Sequence, residues 1–408
     1  MQAVATRMPA SEAQQRLETF VEEVVAGMAH VRQRENALVY VRGLIEHGGR
    51  KSLQPTLFRL GQDGARYESL QQFLADSPWD HGALVRACAE RVVPAIAPVA
   101  LVIDDTGFPK DGTRSPGVKR QYSGTLGKVG NCQIGVSLHA VGWKGTQPVG
   151  WALYLPEEWC QDRTRRLRAK IPDQISFRTK PELARELVET VARWHLPRVP
   201  VLGDQAYGDS AELRSALDRA GVEYLLSVSP QTGLFGPEAT FSVPERRPGR
   251  GRPPVVARPD RPPQAAEALV RTLAAQAFCE IAFTTGPRGT PRQGRFAFVR
   301  VSAAHPILRD RLAPREEWLV VEWPEGAKGP SDYWLSNLPA DTPTQRLAQL
   351  ARLRWLIELD YRQLKGELGL DHYEGRSYAG WHHHCALVSC AHAFLTEERL
   401  CPKARRSA

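Results

Sequence analysis

The sequence predicts an α/β protein: a mixed sheet flanked by helices, with a helical region before it and a mainly β insertion late within it. Three observations carry this. Residues 11 to about 95 show helical periodicity with few strand signals. From residue 97 the texture turns to apolar, β-rich runs that follow one another as a meander. Helical and strand patterns then alternate: PELARELVETVARWH, VPVLGDQAYG, SAELRSALDRAG and EYLLSVS.

Taken in order, residues 1–95 read as a helical domain, either a packing module or a DNA-binding one. Its clearest stretches are SEAQQRLETFVEEVVAGMAH, with Ser11 as a candidate cap, and SLQQFLADSPWDHGALVRACAERVV. Residues 96–228 read as the first part of the sheet domain. There PVALVIDDTGF ends in two acids, NCQIGVSLHAVGW alternates like a strand, and QPVGWALYLP follows a turn at Lys144-Gly145. Residues 229–338 read as a β-rich insertion with strand candidates FCEIAFTT, RFAFVRVSA, EEWLVVEWP and DYWLSNLP. Within it, residues 244–263 are too rich in Pro, Gly and Arg to pack. Residues 339–408 read as the second part of the sheet domain with C-terminal helices; within them RWLIELDYRQLKGELGLDHYEGR (354–376) reads as one long, mostly buried helix. No internal repeat is apparent.

Composition narrows the class. Hydrophobic content of 42% and charged content of 24% are ordinary for a globular chain of 408 residues. No run reaches the roughly 18 apolar residues of a membrane span, and the N-terminus lacks a secretion signal, so a cytoplasmic protein without a membrane partner is expected. The seven cysteines are scattered singly with no CxxC pair, which points to reduced thiols rather than a disulfide framework or zinc knuckle. A net charge of +9 favours a polyanionic partner.

Three positions concentrate acidic chemistry. Asp104 and Asp105 close the apolar run ALVID, and Asp204 closes VPVLGD. An acid at the carboxyl end of a core strand is a common site for α/β active groups. The third is Glu358. On a helix it lies roughly 40° from Arg354, and Lys365 falls back to roughly 20°. That column is either a structural ion pair or half of a catalytic site. Carboxylates from two strands and a helix can hold two divalent ions about 3.5–4 Å apart, which suits phosphodiester chemistry. Hard oxygen donors favour Mg²⁺ or Mn²⁺. By contrast DSAE (209–212) matches a capping box, giving Asp209 a structural role at the N-cap with Glu212 at N3.

VIDDTGFPKDG, GVKRQYSGTLGKVGNCQIGVSLHAVG, GDQAYG and RWLIELDYRQLKGELGLDHYEGRSYAGWHHH together resemble the DDE transposases of bacterial insertion sequences. The branch most resembled is the insertion sequence 701 family, related to the insertion sequence 4 group, and the likeness runs from about residue 15 to 395. The resemblance implies an RNase H-like sheet with a β insertion between the second and third acids. It places the metal triad on Asp104, Asp204 and Glu358; Thr106, two residues on, favours Asp104 over its rival Asp105. A Tyr-Arg-Glu-Lys signature of the wider group falls on Arg354, Glu358 and Lys365, while its tyrosine position is Ala351 here, with Tyr361 a candidate substitute. The implied activity is cut-and-paste transposition: binding terminal inverted repeats, two-metal cleavage, and strand transfer by a homodimer on double-stranded DNA. The alternatives are a retired transposase that only binds DNA and a metal nuclease without strand transfer.

Arg354, Lys365, Arg362 and Tyr361 are therefore expected at the DNA, as are Arg120 and Tyr122 on a loop beyond the first acid. Arg250 and Arg252 sit in an Arg-Gly-Arg-Pro run that reads either as a minor-groove reader or as a basic linker. Trp334 is a candidate to stack on an extruded base, or else core. WHHHC (381–385), with His392 nearby, suits a helix surface or DNA-backbone contact better than a metal, because adjacent helical histidines diverge by about 100°.

Overall fold

Helical spacing in the first hundred residues gives five helices: α1 (Ala10–Val24), α2 (Val31–Ile45), α3 (Leu53–Arg59), α4 (Gly64–Ala75) and α5 (His81–Ile96). The computed structural model describes residues 10–62, 64–124, 127–244, 257–284, 291–304 and 315–401. The run that spans α4 and α5 breaks at Ser77-Pro78, and Asp80 caps α5 by accepting from the backbone N–H groups of Gly82 and Ala83. Leu84, Val85, Cys88, Ala89, Val92, Val93 and Ile96 line its buried face at helical spacing.

The meander follows as β1 (Pro98–Pro109), β2 (Lys119–Ser123), β3 (Lys128–Gly142) and β4 (Gly145–Tyr154). The β3–β4 turn falls on Trp143-Lys144, with Gly142 opposite Gly145. Only glycine fits at 142, since a Cβ there would stand 2.2 Å from the Ile96 carbonyl oxygen. Three helices come next: α6 (Glu157–Gln161), α7 (Arg163–Arg168) and α8 (Lys180–Val191), the last started by a Thr179/Glu182 capping box.

The chain then runs through β5 (Val201–Gly203), α9 (Gln205–Gly208), α10 (Ala211–Arg219), β6 (Tyr224–Ser227), β7 (Gly233–Phe235), β8 (Phe241–Ser242), β9 (Arg258–Pro259) and β10 (Gln264–Ala265). After α11 (Ala266–Arg271), all four strand candidates of the late region form: β11 (Phe278–Phe283), β12 (Arg292–Ala303), β13 (Glu316–Glu322) and β14 (Asp332–Ser336). The chain ends with α12 (Thr344–Ala351), α13 (Leu356–Gly366) and α14 (Tyr378–Leu400).

These elements form a mixed α/β protein of two units. One comprises Met1–Val99, Asp104–Arg198 and Leu356–Ala408. In it β3 pairs antiparallel with β2 and β4 and neighbours β1, while α5, α8 and α14 pack on β4. The other comprises Ala100–Ile103 and Val199–Trp355. Its β5 pairs in parallel with Leu101–Val102 of β1 and with β6; β14, β13 and β12 then continue antiparallel from β6. Its core gathers Leu234, Leu269, Val301, Leu319, Val321 and Leu335.

Two local expectations are corrected. The stretch 354–376 is not one helix: α12 stops at Ala351, a turn spans Arg352–Trp355, and α13 ends at Gly366 before a second turn. The N-cap of α10 is Ser210, whose hydroxyl accepts from the Leu213 N–H; Asp209 instead ends α9 and accepts from the Ser229 N–H. Asp209 is thus structural, by a different bond. No helix among the described residues is long and apolar enough to cross a membrane.

Candidate active site

Asp104 and Asp105 do not close their strand. β1 continues to Pro109, so both acids lie inside it, just past the residues that pair with β5. Side chains alternate along a strand, so the two carboxylates leave it in opposite directions. Asp104 Oδ1 accepts from the Asp105 N–H at 2.8 Å. Asp105 Oδ2 takes Lys180 Nζ at 2.9 Å, an ion pair with the first turn of α8. Asp105 is therefore paired with a lysine, a contact that the sequence did not signal. Asp204 does close its strand: it follows Gly203 of β5 and caps α9, accepting from the Ala206 N–H at 2.9 Å.

Glu358 stands exposed in the first turn of α13. Arg354, in the preceding turn, does not share its helix, so the expected helical i,i+4 spacing from Arg354 to Glu358 does not exist. Tyr361 and Lys365 do continue the Glu358 side of α13. The Tyr361 hydroxyl meets Ser137 Oγ of β3 at 2.6 Å. Burial above all, and then the negative charge of Asp104, drives the Tyr361 phenol well above its ordinary pKa, so it stays neutral. Lys365 Nζ donates to the Gly107 carbonyl of β1 at 2.8 Å, and burial pulls its pKa down to about 8. This side of α13 therefore runs along residues 104–107 of β1.

The remaining candidates separate clearly. Arg362 is exposed on α13, and Arg120 and Tyr122 are exposed on β2, a strand where a loop was expected. Trp334 is buried in β14 with the Arg352 guanidinium 5.7 Å from its ring centre, the core alternative. Ala351 is buried at the end of α12. Arg250 and Arg252 lie outside the described residues.

The histidine run is not a surface feature. His382, His383, His384 and His392 are all buried in α14. His383 bridges the Leu74 and Trp79 carbonyls and stacks on the Trp79 ring. His384 Nε2 faces the Gly369 and Leu370 carbonyls, and its Nδ1 lies 2.9 Å from the Tyr40 hydroxyl. Carbonyls only accept, so Nε2 carries the proton and Nδ1 accepts from Tyr40. The DNA-backbone expectation for this run is corrected on burial alone.

Carboxylate oxygens without histidine or thiolate are the donor chemistry that Mg²⁺ and Mn²⁺ take. Among the described residues, no three His, Cys, Asp or Glu side chains are gathered closely enough to hold an ion by themselves.

Residues 23–290, well over half of the chain, match the family model of the DDE superfamily endonucleases. The chain belongs to that superfamily. The chain is also 32% identical, over 189 residues, to the "Probable transposase for insertion sequence element IS701" of Microchaete diplosiphon. That likeness covers 46% of each chain, so the chain spans about half the length of the relative it matches. The family match includes Asp104 and Asp204 and stops short of Glu358.

Proposed function

We propose that this DDE endonuclease is an insertion-sequence transposase. It binds the terminal inverted repeats of its element as a homodimer on duplex DNA, cleaves the ends, and joins the 3′-hydroxyls to target DNA. The observation that carries the reading is the pair of strand-borne acids, Asp104 and Asp204, inside the superfamily match, with the rival Asp105 held by Lys180. Glu358 is the third acid, by the resemblance of its surrounding motif, and the sheet is of the RNase H-like kind.

In this reading Asp104, Asp204 and Glu358 are the residues that would hold two Mg²⁺ or Mn²⁺ ions. Such ions would supply acidity to the attacking water or 3′-hydroxyl and charge stabilisation to the leaving oxygen. Lys365, whose Nζ donates to the Gly107 carbonyl, brings its positive charge to the Glu358 side of α13 for a phosphate, and the exposed Arg362 extends the same helix face. Arg354, Arg120 and Tyr122 supply sequence-independent contacts that hold the strand in register. Tyr361, locked to Ser137, is a scaffold beside Asp104 rather than a proton donor.

Incubating the protein with Mg²⁺ and a duplex carrying its element end tests the reading. We expect nicked and joined products, with Asp204→Asn abolishing both while gel-shift affinity is retained. Cleavage at the wild-type rate by Asp204→Asn refutes the acid set; cleavage without any joined product makes the protein a nuclease.

A further inference from the structure

Asp360 follows Glu358 by two residues and points the other way, into the protein. Of the 11 residues of α13 only Ile357, Asp360 and Leu364 are buried, so one of the three side chains that seat the helix is a carboxylate. Asp360 Oδ2 lies 2.8 Å from His139 Nδ1 of β3, and its Oδ1 accepts from the Thr146 hydroxyl of β4. His392 Nε2 stands 3.8 Å from the same Oδ1. Beside this, Tyr361 meets Ser137. The β3–β4 register shifts between Leu138 and His139, an irregularity of the kind that re-aims a side chain out of a regular ladder. His139 Nε2 has no hydrogen-bond partner, so among the described residues Asp360 alone fixes that ring by hydrogen bonding.

A buried carboxylate is a costly way to seat a helix. Apolar residues of similar volume often pack as stably or better than buried polar networks. What hydrogen bonds add is direction: an apolar contact lets a helix turn about its axis, whereas two neighbouring side chains, Asp360 and Tyr361, bonded to two strands do not. At a helix radius with side chains of about 6 Å, a 20° rotation moves a side-chain head by about 2 Å. A misplacement of about 1 Å can lower a rate about a hundredfold.

We propose that the Asp360–His139–Thr146 network, with Tyr361–Ser137 beside it, consists of positioning residues that fix the rotation of α13 and hence the place of the Glu358 carboxylate. The inference rests on Glu358 being the third acid. Its test is an apolar replacement of the network, Asp360→Leu with His139→Leu and Thr146→Val, and the milder Asp360→Asn. Three quantities are read on each: gel-shift affinity for element-end DNA, single-turnover cleavage at saturating DNA, and hydrogen exchange of residues 356–366 against those of α14.

Affinity within about twofold of wild type, cleavage lower by about a hundredfold, and exchange of α13 faster by tenfold or more are expected, with α14 unchanged. Wild-type cleavage by the folded apolar variant, or α13 exchange equal to wild type, overturns the proposal. Should the apolar variant not fold, Asp360→Asn carries the same split, and a cleavage loss no larger than its loss of folded protein overturns it. A wild-type protein that cleaves nothing refutes the proposed function instead, and the exchange comparison still decides whether the network holds α13.

Discussion

Helices α13 and α14 are neighbours in sequence and equally rich in titratable residues, yet they put them to opposite uses. In α14 the four histidines lie inside, each against a protein partner. In α13 all but one of the charged side chains lie at the surface or along β1, and the exception, Asp360, is bonded to two strands. A polar run on a helix is thus ambiguous until its hydrogen bonds are traced. Groups satisfied by backbone carbonyls hold the fold. Groups left with donors or lone pairs toward the surface can act on something else.

A pair of substitutions breaks the comparison if it is wrong. Glu358→Gln should lower single-turnover cleavage at least about a thousandfold, while its melting temperature stays within a few degrees, since an exposed side chain contributes little. His384→Leu should do the reverse. It strands the Tyr40 hydroxyl and two carbonyls, costing on the order of 2–4 kcal/mol. Cleavage per folded molecule should remain within about threefold of wild type. A stable His384→Leu, or a fully active Glu358→Gln, would merge the two helices into one category.

The pH dependence of stability gives a second, smaller effect. Burial is the main force on His384 and His392, and it pulls each pKa down to about 4. Their unfolded value is about 6.5, so the unfolded chain takes up protons first as pH falls. Stability from these groups is complete above about pH 6.5 and is lost progressively between there and about 4. Two such histidines together should remove on the order of 4 kcal/mol between pH 7 and 5. Urea unfolding at pH 7.5, 6 and 5 measures it, and a flat curve would mean that α14 carries no buried neutral imidazoles.

Much of this was legible beforehand. Strand and helix order followed from periodicity, and burial of the apolar runs followed from their length. What escaped were facts that depend on distant partners. Nothing local in VIDDTGF says that Lys180, seventy-five residues on, will take Asp105. Nothing in WHHHC says that the carbonyls of Leu74, Trp79, Gly369 and Leu370 will surround it, so a histidine-rich surface was the natural expectation. The break before α13 was hidden because Arg354, Glu358 and Lys365 match helical spacing whether or not a turn intervenes. Asp360 and His139 were missed for the same reason: a buried acid in a charged helix leaves no mark in its own sequence.

Lys365 stands between the two categories and gives the smallest expected effect. It shares the face of Glu358, but burial lowers its pKa to about 8 from an unfolded value near 10.5. The folded state therefore binds its proton less tightly, so stability should rise as pH climbs from about 8 toward 10.5, and below 8 the ammonium is a net cost. Lys365→Met removes that cost and also leaves the Gly107 carbonyl without its donor, so the two changes should nearly cancel, to within about 1 kcal/mol at pH 7. Cleavage should still fall at least about tenfold if Nζ makes the phosphate contact proposed above. Unfolding and single-turnover cleavage measured on the same preparation decide the matter. If stability collapses while cleavage per folded molecule is kept, Lys365 belongs with the histidines of α14 and the working face of α13 shrinks to its first turns.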